Sequence, residues 1–205
     1  MINTLPLPLF VGMCEEATTR IHEAAKSLSC SSVLLVNVVA DHPTMREDNW
    51  LYVYDEDKYS TRINFTELLS PNNAPNGSTG IQVEVYFSKY RKKKQGDSEL
   101  AARVCEELVE MGLVKDRESI TSFHTKWVPW ANVIFDDARR KAQDAIFDFL
   151  THYGLAREED DLEPMTNWET KQDVPLGELN LAGRFGQWKY FWTDDCVLRG
   201  KIFRA

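Results

Sequence analysis

From Gly80 to Ser88 the chain alternates without interruption: Ile81, Val83, Val85 and Phe87 fall on one side, Gln82, Glu84, Tyr86 and Ser88 on the other. A period of two requires a strand with one buried face, and therefore a sheet with partners for it. Several partners are legible. Val33 to Ala40 is an apolar run broken only by Asn37, which fits a strand covered on both faces. Trp50, Tyr52 and Tyr54 alternate with Leu51 and Val53, and Thr61 to Phe65 alternates again, so the two stretches predict a hairpin across Asp55 to Tyr59. Ile120 to Trp127 reads as another strand, and the turn formers from Ser70 to Gly80 as a loop.

Helical spacing appears between these strands. Ala17, Ile21, Ala24, Ala25 and Leu28 predict a helix over Glu15 to Leu28. Asp97 or Ser98 caps a helix carrying Leu100, Val104, Leu108 and Met111 and closed by Gly112. Asp136 opens another, with Ala138, Ala142, Ala145, Ile146, Phe149 and Leu150 on one side, Gly154 at its end, and Asp136-Asp137 as its cap. The opening INTLPLP reads as extended, its prolines excluding a helix. The acidic stretch Arg157 to Glu163 reads as a surface excursion. The sum is an α+β chain: an antiparallel or mixed sheet of about five or six strands flanked by helices.

A formal charge of −8 argues against a nucleic-acid or anionic-membrane surface. The one basic run, Arg91 to Lys94, is read as a solvated loop. Cys14, Cys30, Cys105 and Cys196 are widely spaced without neighbouring histidines, so they read as reduced thiols, and no metal site is expected. No apolar run approaches a membrane span and no leader pattern opens the chain, so the expected location is cytoplasmic.

The run from Gly183 to Lys201, GRFGQWKYFWTDDCVLRGK, does not belong to that sheet in any obvious way. It reads as a strand end at Leu179 to Ala182, a glycine turn, an aromatic cluster, and a helix opened by Thr193 or Asp194. The order resembles the last flavin-contacting segment of the FAD-dependent amine oxidase, protoporphyrinogen oxidase and UDP-galactopyranose mutase superfamily. INTLPLP is similar to the segment where those proteins leave the FAD domain, DEDKYSTRINF with SPNNAP resembles their substrate domain, and KWVPWANVIFDD their strand-to-helix passage. No G-x-G-x-x-G fingerprint precedes any of these.

The resemblance implies a substrate-binding-like domain over residues 1–178 and, over 179–205, a C-terminal strand and helix remnant of an otherwise missing FAD-binding domain. It implies FAD as cofactor, held only with a complementary N-terminal domain, with Gly183, Arg184, Gly186, Trp192, Thr193 and Asp194 beside the flavin. Trp188 and Tyr190 fall where the mutases place two tyrosines at a substrate diphosphate; a tryptophan at 188 and Trp192 in place of an acidic residue depart from that pattern. Arg62, inside a strand, is a candidate for a substrate carboxylate or phosphate, or an exposed strand arginine. His124 reads as a hydrogen-bonded structural histidine. Without the resemblance, the aromatics from Phe185 to Trp192 read as core.

Two functions follow as expectations. One is a partial FAD-dependent oxidoreductase (amine oxidase-like) or sugar mutase-like protein, associated with cell-surface polysaccharide biosynthesis, acting on a small-molecule or nucleotide-sugar substrate, inactive alone and completed by a separate FAD-binding polypeptide. The other is a non-catalytic binding or interaction module, or the relic of a truncated gene. The first carries two structural expectations. Arg184, Trp188 and Tyr190 should share one concave surface, and Leu5, Leu7, Leu181 and Phe185 should be unusually exposed.

Overall fold

A computed structural model of the chain describes residues 1–75, 77–171 and 173–203. In chain order the elements are β1 (Ile2–Asn3), α1 (Leu7–Gly12), α2 (Thr19–Ser27), β2 (Ser29–Ala40), β3 (Trp50–Tyr52), β4 (Arg62–Phe65) and α3 (Thr66–Leu69). After a 3₁₀ turn at Pro71–Asn73 come β5 (Thr79–Phe87), α4 (Asp97–Glu110), β6 (Ile120–Ile134), α5 (Asp137–Thr151), β7 (Asn180–Leu181), α6 (Gly183–Gly186) and α7 (Thr193–Ile202). They form two compact units, Ser31–Ala131 and Met1–Cys30 with Asn132–Ala205.

The Ser31–Ala131 unit is built on the five-stranded antiparallel sheet β3-β4-β5-β2-β6. Val83 of β5 pairs with Val36 of β2 and with Ile63 of β4, so the apolar sets of three strands lie on one face. That face and Leu100, Val104 and Leu108 of α4 make the core. The hairpin is anchored from α4, where the buried Glu107 carboxylate accepts from Tyr59 N–H at 2.8 Å, Ser60 N–H at 2.9 Å and Ser60 Oγ at 2.6 Å. β6 runs well beyond the predicted Trp127 and passes through Pro129; it is an edge strand, the position in a sheet where proline is tolerated. His124 is exposed there and is not the structural histidine expected.

In the other unit β1 pairs in parallel with β7, and α2 packs on α5. The prolines of the opening segment start a helix rather than excluding one. Pro6 (φ −52°) occupies the N-cap and Pro8 the first turn of α1, where a proline forfeits no intrahelical bond. α2 begins only at Thr19, later than its apolar spacing predicted. α5 buries the predicted Ala142, Ile146 and Leu150, and its buried stripe also takes in Arg139, Gln143 and Phe147, while Ala138 is exposed.

No compact boundary falls at 178/179. Residues beyond Leu179 are tied into their unit by the β1–β7 pairing, by a Leu155–Leu179 bridge, and by α5 side chains that bind backbone carbonyls of residues 187 and 188. Among the described residues no helix is long and apolar enough to cross a membrane.

Candidate functional site

β7 ends at a left-handed glycine, Gly183 (φ +79°), which turns the chain into the short helix α6. A Cβ at Gly183 would meet no heavy atom within 4 Å, so this position needs glycine for its conformation and leaves open space in front of it. Gly186 is different. A Cβ there would stand 3.0 Å from the Asn3 carbonyl oxygen, and the residue is buried against β1. Its glycine serves close backbone approach to β1 within the unit.

The aromatic segment divides into an inner and an outer layer. Trp188 is fully buried, edge-on to Phe185 at 6.0 Å, and Phe191 is buried against Trp168. The side chain of Trp188 is therefore core, and the expected single surface shared by Arg184, Trp188 and Tyr190 is not formed. Arg184 and Tyr190 do come together. The guanidinium sits 5.5 Å over the Tyr190 ring, donates through Nε to the Phe191 carbonyl at 2.8 Å, and reaches Asn132 Oδ1. Tyr190 also meets Phe135 and Trp192 edge-on, and Trp192 is 54% exposed. The outer layer is thus Arg184, Tyr190, Phe135 and Trp192; nothing in the local spacing singled out Phe135 or Asn132.

α7 starts at Thr193 as predicted, with Thr193 and Asp194 exposed. Asp195 Oδ2 accepts the Trp192 N–H at 2.7 Å. With two carboxylates in the first turn, this helix end favours its own anions over a phosphate. The expected exposure of the apolar set fails at two positions. Leu7 is 0% and Leu181 3% exposed, as closed as Val83, because α1 and β7 pack inside the unit; Phe185 is half-buried, and Leu5 at 43% meets the expectation.

The acidic stretch expected at the surface keeps Glu159 and Glu163 exposed but turns other carboxylates inward. Glu158 pairs with Lys171 (2.6 Å) and Arg199 (2.6 Å), while Asp160 pairs with Lys171 and, at 3.2 Å, with the buried Lys189. Lys189 Nζ also donates to the Asp160 carbonyl at 2.6 Å and to Thr166 Oγ1 at 2.9 Å. Desolvation pushes the Lys189 ammonium below its ordinary pKa, although Asp160 opposes this. The partners lie 11 to 41 residues from the carboxylates they pair with, too far for a local reading to find.

Arg62, in the other unit, pairs across the sheet with Glu84, whose second oxygen accepts from the Tyr86 hydroxyl at 2.6 Å. Its charge is already countered by a buried carboxylate, so a substrate anion would have to compete with Glu84. The described residues contain no group of three or more His, Cys, Asp or Glu side chains placed to hold a metal ion.

The chain matches no protein-family model, and no curated protein sequence matches it. Its fold, in contrast, is that of part of several solved structures. Reduced UDP-galactopyranose mutase aligns over 100% of this chain with a TM-score of 0.75 at 16% identity. A protoporphyrinogen oxidase from an Exiguobacterium species aligns over 100% at a TM-score of 0.58 and 11% identity, and putrescine oxidase bound to putrescine over 100% at 0.55 and 14%. The chain spans about two fifths of these proteins: 41%, 41% and 42% of their lengths. At such identities the likeness is one of fold, and it is the fold implied by the resemblance of GRFGQWKYFWTDD.

Proposed function

We propose that this chain is the substrate-binding part, with the last flavin-contacting segment, of an FAD-dependent oxidoreductase or sugar mutase. The observation that carries the reading is the outer aromatic layer beside the open backbone at Gly183, in a fold shared over its whole length with a mutase and two oxidases. A flat conjugated ring fits such a surface: glycine backbone on one side, Tyr190 and Trp192 faces and edges on the other, and Arg184 for a ring oxygen. The diphosphate end does not fit here, since the nearby helix terminus carries Asp194 and Asp195.

FAD, when bound, supplies the redox or covalent chemistry. This chain's residues would orient it: Gly183 by permitting close approach, Arg184 and Tyr190 by fixing the ring's polar edge, and Trp192 by excluding water. Thr193 and Asp194 would border the site, and Tyr190 is its substrate-side group; Arg62, in the other unit and paired with Glu84, is a separate candidate for a substrate anion. A dinucleotide-binding domain, in the same polypeptide or a separate one, completes it. Exposed apolar side chains at Leu5, Trp192, Val197 and Leu198 support such a partner. Work on a nucleotide sugar in polysaccharide biosynthesis belongs to the same proposal and rests on the sequence resemblance; a cytoplasmic location is proposed from the sequence pattern alone.

The test is reconstitution. This chain and a polypeptide carrying the dinucleotide-binding domain should together retain FAD through gel filtration, while neither does alone. Gly183→Val should abolish retention. Gly183→Asn, which tolerates the left-handed backbone and fills only the space before it, should weaken retention in a chain that still folds by circular dichroism. Unchanged FAD retention in both variants would overturn the reading.

A further inference from the structure

Arg139 and Gln143 stand one turn apart on the buried face of α5 and reach the same two stretches of chain. Gln143 Nε2 donates to the carbonyls of Asp161 at 3.0 Å and Gln187 at 2.8 Å. Arg139 donates to the next carbonyl along each stretch, through Nη2 to Leu162 and through Nη1 to Trp188 at 3.3 Å. Between those two clamped carbonyls lies Trp188, with φ +55° the only described residue other than glycine in the left-handed region. A bulky side chain there costs roughly 1–2 kcal/mol of backbone strain.

The geometry of the clamp matches the strain it must hold. The Gln187 and Trp188 carbonyls belong to the two peptide planes that flank the Trp188 Cα, so their orientations define its φ and ψ. Fixing one with Gln143 and the other with Arg139 leaves Trp188 no freedom to relax to a right-handed conformation. Downstream, Tyr190 donates its N–H to the Pro164 carbonyl at 2.7 Å, and Tyr190 and Trp192 then emerge in the outer layer. Were Trp188 to relax, the chain direction through 189–192 would change and both rings would be re-aimed.

We propose that Arg139 and Gln143 are positioning residues for the ligand-facing aromatics: they hold the left-handed turn at Trp188 and thereby set the orientation of Tyr190 and Trp192. The inference rests on the reading that this aromatic layer faces the ligand, but its test holds no flavin and so succeeds or fails apart from reconstitution. The chain labelled with 5-fluorotryptophan gives one fluorine signal for each of its six tryptophans, three in each unit, assigned by Trp→Phe variants.

Arg139→Lys keeps the charge but not the two-way fork; Gln143→Met keeps the volume but not the donors. Either should displace the Trp188 and Trp192 signals and leave those of Trp50, Trp127 and Trp130 in place. A side chain that only supports the fold would lower the melting temperature without moving Trp192 in the folded protein. An unmoved Trp192 signal in both variants, displacement of all six signals together, or loss of folding in both would each overturn the proposal.

Discussion

In the Ser31–Ala131 unit the interior is largely aliphatic and aromatic: Val36, Ile63, Phe65 and Val83 of the sheet close on Leu100, Val104 and Leu108 of α4, with the buried carboxylates Glu84 and Glu107 as its directional exceptions. In the unit formed by Met1–Cys30 and Asn132–Ala205 the interior also holds Arg139, Gln143, Lys189 and Arg199, each bound to carbonyls or carboxylates. The first kind of core is non-directional and tolerates repacking. The second fixes backbone carbonyls one by one, and fails badly when a single partner is removed. It is the unit richer in buried polar contacts that presents the candidate flavin surface.

The comparison is broken most forcefully from the apolar side. Phe65→Ala empties a fully buried site in β4 and should cost about 3–5 kcal/mol. Urea denaturation followed by the fluorine signals of Trp50, Trp127 and Trp130 would measure it; a loss below about 1 kcal/mol would mean that the sheet core is not closely packed. Next in size is Arg199→Leu. Arg199 donates to the Leu181 carbonyl through Nε at 3.2 Å and Nη2 at 3.1 Å, and pairs with Glu158. Removing it leaves a buried carbonyl and a carboxylate short of a donor, at a cost of about 3 kcal/mol, read from Trp168, Trp188 and Trp192. A neutral or stabilising Arg199→Leu would show that apolar packing, not the directional bond, holds β7 to α7.

The same contrast explains what could be read from the sequence. The β5 alternation predicted its strand and its buried face, and the Trp50–Phe65 hairpin followed from the same period, because burial there is decided by side chains two residues apart. α5 was legible as a helix and, through Ala142, Ile146 and Leu150, in half of its buried stripe. What the spacing missed on that stripe is Arg139 and Gln143, polar residues that only their carbonyl partners some 18 to 49 residues away can satisfy. The aromatic segment was legible as a site candidate from GRFGQWKYFWTDD, yet the left-handed Trp188 that sends one ring inward and the next outward is a tertiary effect with no local signature.

A smaller effect comes from pH. Burial alone would raise the Asp160 carboxyl, but hydrogen bonds from Lys171 and Thr166 and the charges of Lys189 and Lys171 together bring it below its ordinary value. A carboxylate with a lowered folded pKa contributes stability that is complete above the unfolded value, about 4, and is lost as the pH falls through the folded one. Lys189 has the opposite window: with its pKa depressed by burial, its charged form costs stability at neutral pH, and that cost is relieved as the pH rises toward about 10.4. The Trp168, Trp188 and Trp192 signals should therefore show weakening stability on acidification below about pH 4, and Asp160→Asn should flatten that slope. An identical acid profile in Asp160→Asn would remove Asp160 from the account.

The smallest effect is expected where a charge pair lies on the outside of the apolar unit. Lys93 pairs with Asp97 in the first turn of α4, and its ammonium sits 5.0 Å over the Trp127 ring. Both groups are partly exposed, so solvent and salt screen the pair, and Lys93→Ala should change stability by no more than about 0.5 kcal/mol. The Trp127 signal should nevertheless move, because the ammonium leaves its ring face, while the other five stay where they are. Arg199 and Lys93 each combine a carboxylate pair with an aromatic ring, Phe203 for the one and Trp127 for the other. They differ in burial. Should Lys93→Ala prove as costly as Arg199→Leu, burial would not be what separates the two units, and the distinction between a non-directional core and a directional one would have to be given up.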